Sequence, residues 1–339
     1  MLVLGELLAG CSISGKQQNV PLVSPVRPHV RFNATSHVGI WVSSSQGYLF
    51  GQNEVGRKTV TAIDVTPYDC TPHGIKVDHQ QNLWVACEAD DGKSTIEEYA
   101  PGSSAPSTTY ADSGCASCYL FYGWPYDVAF DDAGHVFAAN IYSIYCTSKS
   151  SCSSSSGEVV WWNANAPTAP PTLIYDPNIT IVQYLDADPS GNLYIDGQGC
   201  LSAHDCGFIV DEIANPTTAP TTTNLIPPGI PGKHVAGVYV SKSGEVLDVI
   251  DQDARTTFQY ALPWVASEQP FNVLGPTFQN KFGLGAPVSG GFNEGDTRQV
   301  IADFNGWLDV GRVASNKYSA VSNPNFDSIA SAAYVPSDK

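Results

Sequence analysis

Charge is what this chain is shortest of. Only 14% of its 339 residues are Asp, Glu, Lys or Arg, and the basic ones are fewest, 16 against 33 acidic, for a formal net charge of −17. Such a chain repels a phosphate backbone, which excludes nucleic acid as a partner, and it lacks the basic patch that docks on anionic lipid. Long apolar runs are missing too: past the N-terminal segment none approaches the roughly 20 residues of a membrane span. No heptad or sustained 3.6-residue periodicity appears, so helices are not the building element. The signatures that carry their own chemistry are also absent. There is no Gly-x-Ser-x-Gly elbow, no phosphate-cradling P-loop, no His-Glu-x-x-His pattern and no dinucleotide fingerprint.

What the sequence has is 11% aromatic residues with 30 glycines and 24 prolines, a composition that suits many short strands and tight turns. The pattern is clearest in Pro72-His-Gly-Ile-Lys-Val-Asp78-His-Gln-Gln-Asn82-Leu-Trp-Val-Ala86. It reads as a strand with Ile75 and Val77 on one face, a polar turn from Asp78 to Asn82, and an apolar second strand. Thr95-Ile-Glu-Glu-Tyr-Ala and Ser107 to Tyr110 supply a third and a fourth strand, which is one propeller blade. The unit recurs at Phe130-Asp131, Ala187-Asp188, Val240-Ser241, Gly285 to Gly291 and Ser331 to Asp338. Successive copies lie roughly 47 to 58 residues apart, near the blade periods of known propellers. The last copy has a first strand and no second, whereas His37-Val-Gly-Ile-Trp-Val reads as a second strand without a first. The expectation is therefore an all-β, six-bladed β-propeller of four-stranded antiparallel blades spanning 30–339, closed by the C-terminal strand joining the N-terminal blade.

The residues that carry the repeat, Pro72-His-Gly-Ile-Lys-Val-Asp with Asn82-Leu-Trp-Val-Ala, then Ile96-Glu-Glu-Tyr-Ala-Pro-Gly and Asp188-Pro-Ser-Gly-Asn-Leu-Tyr-Ile, resemble NHL-type repeats and the related six-bladed gluconolactonase-like propellers. The resemblance covers about residues 37 to 336. It implies the fold and is nearly silent on activity, because propellers host many functions. At the N-terminus, Leu8-Ala-Gly-Cys11 after an apolar run and before a polar tether resembles a bacterial lipoprotein lipobox, which implies lipidation of Cys11. Two departures, the missing Lys/Arg n-region and Glu6 within the apolar run, suggest that the true signal peptide begins upstream. Residues 1–29 are accordingly expected to be a lipoprotein signal remnant and tether. The chain as a whole looks like bacterial propeller lipoproteins, extracytoplasmic and anchored or secreted, with the membrane reached only through the N-terminal lipid.

Eight cysteines remain besides Cys11, an even number that suits disulfides in an exported chain. Cys70, Cys115 and Cys118 lie in connections leading into a first strand; Cys87, Cys146, Cys152, Cys200 and Cys206 lie at or beyond the end of a second strand. In a propeller both kinds of connection emerge on one face. The expected pairs are Cys70–Cys87, Cys115–Cys118, Cys146–Cys152 and Cys200–Cys206, with a crossing between the 115/118 and 146/152 loops as the alternative. A zinc reading of Cys115-Ala-Ser-Cys118 lacks a second Cys-x-x-Cys. Ser148 to Ser156 reads as a solvated serine-rich loop.

Second strands end in polar residues, among them Glu88, Asn140, Asp196, Asp251 and Asp303. Gluconolactonase-like enzymes use such oxygens around a cation at the axial mouth, so these five are the metal candidates, for Ca²⁺ or Mg²⁺, against the plain reading that they cap strand ends and turns. His73 with Glu88 is the candidate acid–base pair, as in streptogramin-lyase-like propellers; His204 and His234 lie near the same face. Tyr119, Tyr122, Trp124, Tyr142 and Tyr145 are the binding candidates, because aromatic-rich loops suit protein or glycan surfaces; inter-blade packing is the competing role. Two functions follow from different classes. One is a monomeric binding or scaffold protein that presents the disulfide-rich loop face to a protein or glycan. The other is a metal-dependent lactonase- or lyase-like enzyme with its site at the channel mouth. Packing in a cell-surface layer is a third.

Overall fold

Each blade begins where apolar and polar residues alternate, and its first hairpin turns on a short run of Asp, Asn, Ser or Gly. The computed structural model describes residues 37–53, 56, 58–89, 94–114, 120–148, 151–155, 157–226, 234–264, 269–274, 287–293, 295–313, 317–322 and 329–336, all within one unit, Phe32–Lys339. The first blade holds β1 (Ile40–Ser44), β2 (Tyr48–Gln52) and β3 (Thr59–Asp64); the second holds β4 (Thr71–Val77), β5 (Leu83–Glu88), β6 (Thr95–Tyr99) and β7 (Thr108–Ala111). The third is built from β8 (Leu120–Phe130), β9 (His135–Ser148), β10 (Ser151–Ser155), β11 (Val159–Asn163) and β12 (Thr172–Ile174). The fourth comprises β13 (Ile179–Ala187), β14 (Leu193–Ser202), β15 (Asp205–Ala214) and β16 (Thr221–Ile226). In the fifth are β17 (Val235–Val240), β18 (Val246–Asp251), β19 (Thr256–Ala261) and β20 (Asn272–Leu274). The sixth has β21 (Pro287–Phe292), β22 (Arg298–Asp303), β23 (Trp307–Arg312) and β24 (Lys317–Ser322), and the last strand is β25 (Ile329–Tyr334).

Pairing within every blade is antiparallel; it follows chain order in the second, fourth, fifth and sixth blades, and β25 is the innermost strand of the first blade, in the order β25-β1-β2-β3. The fold is a six-bladed β-propeller, closed as the repeat count requires. The innermost strands β4, β8, β13, β17, β21 and β25 each pack on the next around the axis. Burial on both faces explains why second strands are continuously apolar. In β5, Leu83, Val85 and Cys87 point to a core shared with Leu49, Ile63 and Ile75, while Trp84 and Ala86 point to one shared with Tyr110, Val128, Val136 and Trp162. Period-two alternation thus feeds two inter-blade cores rather than a core and solvent. Burying a side chain of this size stabilises by about 1.5–3 kcal/mol.

The turn between first and second strands repeats atom for atom. In the second to sixth blades the N–H of Gln81, Gly134, Gly191, Gly244 and Asp296 donates to the carbonyl of Asp78, Asp131, Asp188, Ser241 and Asn293. The donor residue has positive φ each time, 84° at both Gly134 and Gly191, and Gln81 and Asp296 adopt it without being glycine. The acceptor residue's side chain also takes the N–H that opens the second strand, as Asp78 Oδ1 does from Asn82 and Asp188 Oδ1 from Asn192. We call this side of the disc the turn face and the opposite one the loop face.

One expectation is corrected. The serine-rich stretch is a strand pair in place of a solvated loop: β9 continues to Ser148, and β10 lies antiparallel against it, which makes the third blade a five-stranded sheet. Backbone pairing needs no apolar side chains once β8, in register with β9 from Phe130↔Val136 to Leu120↔Cys146, carries the hairpin beyond the disc.

Candidate functional site

The loop face is where the propeller departs from regularity. The β8–β9 hairpin and the β14–β15 hairpin both run past the four-stranded core on this side, the second as far as Ser202↔Asp205. β13 packs on both β8 and β9, which makes the hairpins neighbours. Disulfides tie the same face. Cys70 bonds Cys87 beneath the second blade's loop end, and Cys200 bonds Cys206 at the tip of the fourth blade's hairpin. Cys146 is disulfide-bonded as well, and its backbone stands opposite Cys152 in the β9–β10 register. Cys115 and Cys118 lie outside the described residues, as do Cys11 and the whole 1–29 segment.

Of the binding candidates, Trp124 and Tyr142 come together, ring centroids 4.9 Å apart, with Tyr142 40% exposed. They sit opposite one another in the β8–β9 register, so the pair is a cross-strand contact at the base of the extension. Tyr119 and the side chains of Tyr122 and Tyr145 lie outside the described residues. The competing role, blade packing, is filled by other aromatics: Trp84, Tyr110, Phe130 and Trp162 pack between the second and third blades.

At the axial mouth on this face, His73 Nε2 lies 2.8 Å from Glu88 Oε2, because the start of β4 and the end of β5 meet there. The hydrogen bond from His73 holds the Glu88 carboxyl below the usual range, against the burial that would raise it. His73 also packs on Tyr126 at 4.9 Å, and Tyr126 stands edge-on to Tyr184 at 5.3 Å. Across the mouth His234 stacks on Phe208 at 4.4 Å, and burial lowers its imidazole pKa. His204 is exposed at the Cys200–Cys206 tip.

The five expected metal ligands are not brought into one coordination sphere. Glu88 is taken by His73. Asp196 accepts the N–H of Tyr184 at 2.9 Å and of Gly237 at 2.7 Å. Asp251 accepts from Ala254 and Asp303 from Asn305, each within its own turn. Asn140 faces Asp112 across Gly123. Among the described residues, three or more Asp, Glu, His or Cys ligand atoms approach within 4.8 Å only at Cys70, Cys87 and Glu97, and those two cysteines are bonded to each other. The reason is radial. Second strands stand one strand spacing, about 4.8 Å, outside the innermost ring, so equivalent positions on them mark a circle.

Several carboxylates instead stitch one blade to the next. Asp127 of β8 accepts Leu185 N–H of β13, and Asp186 of β13 accepts Val240 N–H of β17 while pairing with Lys76 Nζ at 3.2 Å. Asp248 takes amide N–H bonds from Gln259 and from Gln299 of the sixth blade. Burial pushes three of the blade-joining carboxyls up, Asp127 to about 7 and Asp196 and Asp248 to about 8. Sequence reasoning missed Asp127; its signal was a charge inside an apolar first strand, aligned with Gly74 of the second blade. A Cβ on Gly74 would lie 1.9 Å from Asp127 Oδ1.

The turn face carries a cleft of about 550 Å³ between the second and third blades, floored by Trp84 and Phe130. Two of its acids are engaged in the turns, Asp78 with Asn82 and Trp84 Nε1 and Asp131 with His135 Nδ1 at 2.7 Å, while Glu98 and Asp132 also line it.

No protein-family model matches the chain, and no curated protein is significantly similar to it. Among solved structures, a chain from the crystal structure of a nidogen/laminin complex superposes with a TM-score of 0.59, covering 89% of this chain and 100% of that one at 12% identity. At that identity the likeness is one of fold.

Proposed function

We propose that this propeller is an exported binding module that presents its loop face to a macromolecular partner, a protein or a glycan. The observation that carries the reading is the asymmetry of the disc. Two neighbouring hairpins rise from one face, one capped by the Cys200–Cys206 bridge and one with the Trp124–Tyr142 pair at its base. Rigid, covalently tied loops lose little entropy on binding, and exposed aromatics are the residues that most often anchor an interface. One solved structure of like fold is of a complex, nidogen with laminin, which favours a protein partner. The NHL-like repeat, export, attachment through a lipid on Cys11 and a monomeric state belong to the same reading. The disulfides support export, since they persist in oxidising compartments.

The test is binding of the oxidised protein to panels of extracellular proteins and glycans, repeated with Trp124→Ser/Tyr142→Ser. A partner whose affinity drops roughly 30-fold in the variant, as loss of about 2 kcal/mol of anchor contact requires, supports the proposal. A partner that binds the variant equally well refutes the assigned face.

A second reading, a lactonase- or lyase-like enzyme with a Ca²⁺ or Mg²⁺ cofactor, rests on the His73–Glu88 contact at the channel mouth. Turnover of a lactone or ester that disappears in Glu88→Gln would establish it.

A further inference from the structure

We propose that Asp112, Asn140 and Glu158 hold a divalent hard cation of the calcium type, off the propeller axis, where the second blade hands over to the third. Asp112 lies just past β7 and its backbone is fixed on both sides: its N–H donates to Ser94 O at 2.9 Å and its carbonyl accepts Gly123 N–H at 3.0 Å. Its side chain is 0% exposed, and neither carboxylate oxygen makes a hydrogen bond of regular geometry. Asn140 is equally buried and makes none of regular geometry either; its amide is the neutral donor placed nearest the Asp112 carboxylate.

These two groups converge on one point. A Cβ on Gly123 would stand 2.4 Å from Asp112 Oδ2 and 2.5 Å from Asn140 Nδ2, so the glycine lets both side chains close in on the same spot. Glu158 joins them from the third blade: its carbonyl accepts Asn140 N–H at 2.9 Å, and its half-buried carboxylate takes the Ser143 hydroxyl. Among the described residues no salt bridge reaches Asp112 or Glu158. Burial pushes the Asp112 carboxyl up to about 8; Asn140 opposes the shift and the Glu158 charge adds to it.

A carboxylate buried beside a neutral amide and a second acid, with no counter-charge, is strongly unfavourable. A cation of charge +2 supplies that counter-charge for both acids, and a rotated Asn140 amide offers its oxygen, since the two ends of an amide are assigned rather than seen. The set is all oxygen, which selects Ca²⁺ or Mg²⁺ over softer metals, and its irregular placement suits calcium's flexible coordination. The site shares only Asn140 with the set expected at the axial mouth, and it does not depend on what the loop face binds.

The experiment uses the full, oxidised chain stripped of metal, titrated with calcium chloride alone by calorimetry and thermal melting. One calcium per chain is expected, at or below the roughly 10⁻⁴–10⁻³ M typical of extracellular modules, with a melting temperature that rises on saturation. Asp112→Asn and Glu158→Gln should each weaken binding roughly tenfold or more, since even outer partners of a metal site are worth that much; Glu88→Gln should bind as the parent does. If Asp112→Asn fails to fold, the half-buried Glu158→Gln carries the comparison. No binding well above roughly 10⁻³ M calcium overturns the proposal, and so does equal binding by both acid variants. Loss in Glu88→Gln alone would place the ion at the axial mouth instead.

Discussion

Breaking the Cys70–Cys87 bridge should cost this protein far more than breaking Cys200–Cys206, although both lie on the loop face. The first bridge spans 17 residues of sequence and joins the segment before β4 to the end of β5. The chain-entropy expression gives about −10 cal/mol/K for a loop of that size, or about 3 kcal/mol at 25 °C. Cys70 and Cys87 are 5% and 1% exposed and sit in the core with Leu49, Ile75 and Tyr99, so a Cys70→Ala/Cys87→Ala variant also leaves a small void worth about 1 kcal/mol. The second bridge spans only 6 residues at an exposed hairpin tip, about 2 kcal/mol by the same expression. The tip can fray without opening the blade, so the effect on global unfolding should be smaller still. Urea unfolding followed by tryptophan fluorescence, with Trp84 in the affected blade, measures both. The expected losses are about 4 kcal/mol for the first pair and about 1 kcal/mol for the second, the first being a large share of a total of about 5–15 kcal/mol. Equal losses, or an unchanged midpoint for Cys70→Ala/Cys87→Ala, would refute the argument that the second blade depends on its staple.

Three further outcomes are expected. Asp196→Ala leaves the N–H groups of Tyr184 and Gly237 buried without an acceptor and should destabilise by about 2–5 kcal/mol, with Asp196→Asn milder, in the same urea assay. For Asp112, burial raises the folded pKa to about 8 from 3.8, so its contribution is fully present below pH about 4 and is lost as pH rises through about 8. In chelating buffer the stability of the parent relative to Asp112→Asn should therefore fall by about 1.4 kcal/mol per pH unit across that window; a flat difference in urea midpoints would contradict it. Trp124→Ser/Tyr142→Ser should change stability by less than about 2 kcal/mol while removing partner binding, which a melting curve beside the binding assay checks.

How much of this was legible in the sequence depended on locality. The turn at Asp78 to Asn82 is written in consecutive residues, so its copies at Asp131, Asp188 and Ser241 placed the first and second strands of four blades, and the first strands at Gly285 to Gly291 and Ser331 to Asp338 brought the number to six. Ring closure followed because a lone first strand and a lone second strand have only one way to pair. The β10 strand was hidden because serines carry no apolar alternation, and its partner is the far end of a 14-residue strand. The stitching carboxylates were hidden for a deeper reason. Asp127 and Asp196 are defined by backbone N–H groups in the next blade, some 40 to 60 residues away, and no local spacing encodes that. Asp112 lay in a connection, where a lone acid looks like surface.

The two faces of the disc differ in how much freedom they retain, and this bears on where a partner binds. On the turn face the polar side chains are committed: Asp78, Asp131, Asp188, Ser241 and Asn293 each hold their own turn, and changing any of them disturbs the blade's first hairpin. A ligand recruited there would compete with the hydrogen bonds that make the fold. Among the described residues the loop-face connections carry no such repeat; the hairpins of the third and fourth blades differ from each other and from the rest in length and composition. In the second to fourth blades disulfides add rigidity there, and a covalent tie sets few demands on the side chains around it. Recognition can therefore diverge on this face without cost to the ring, which is the physical basis for placing the partner above Trp124 and Tyr142 instead of in the cleft opposite.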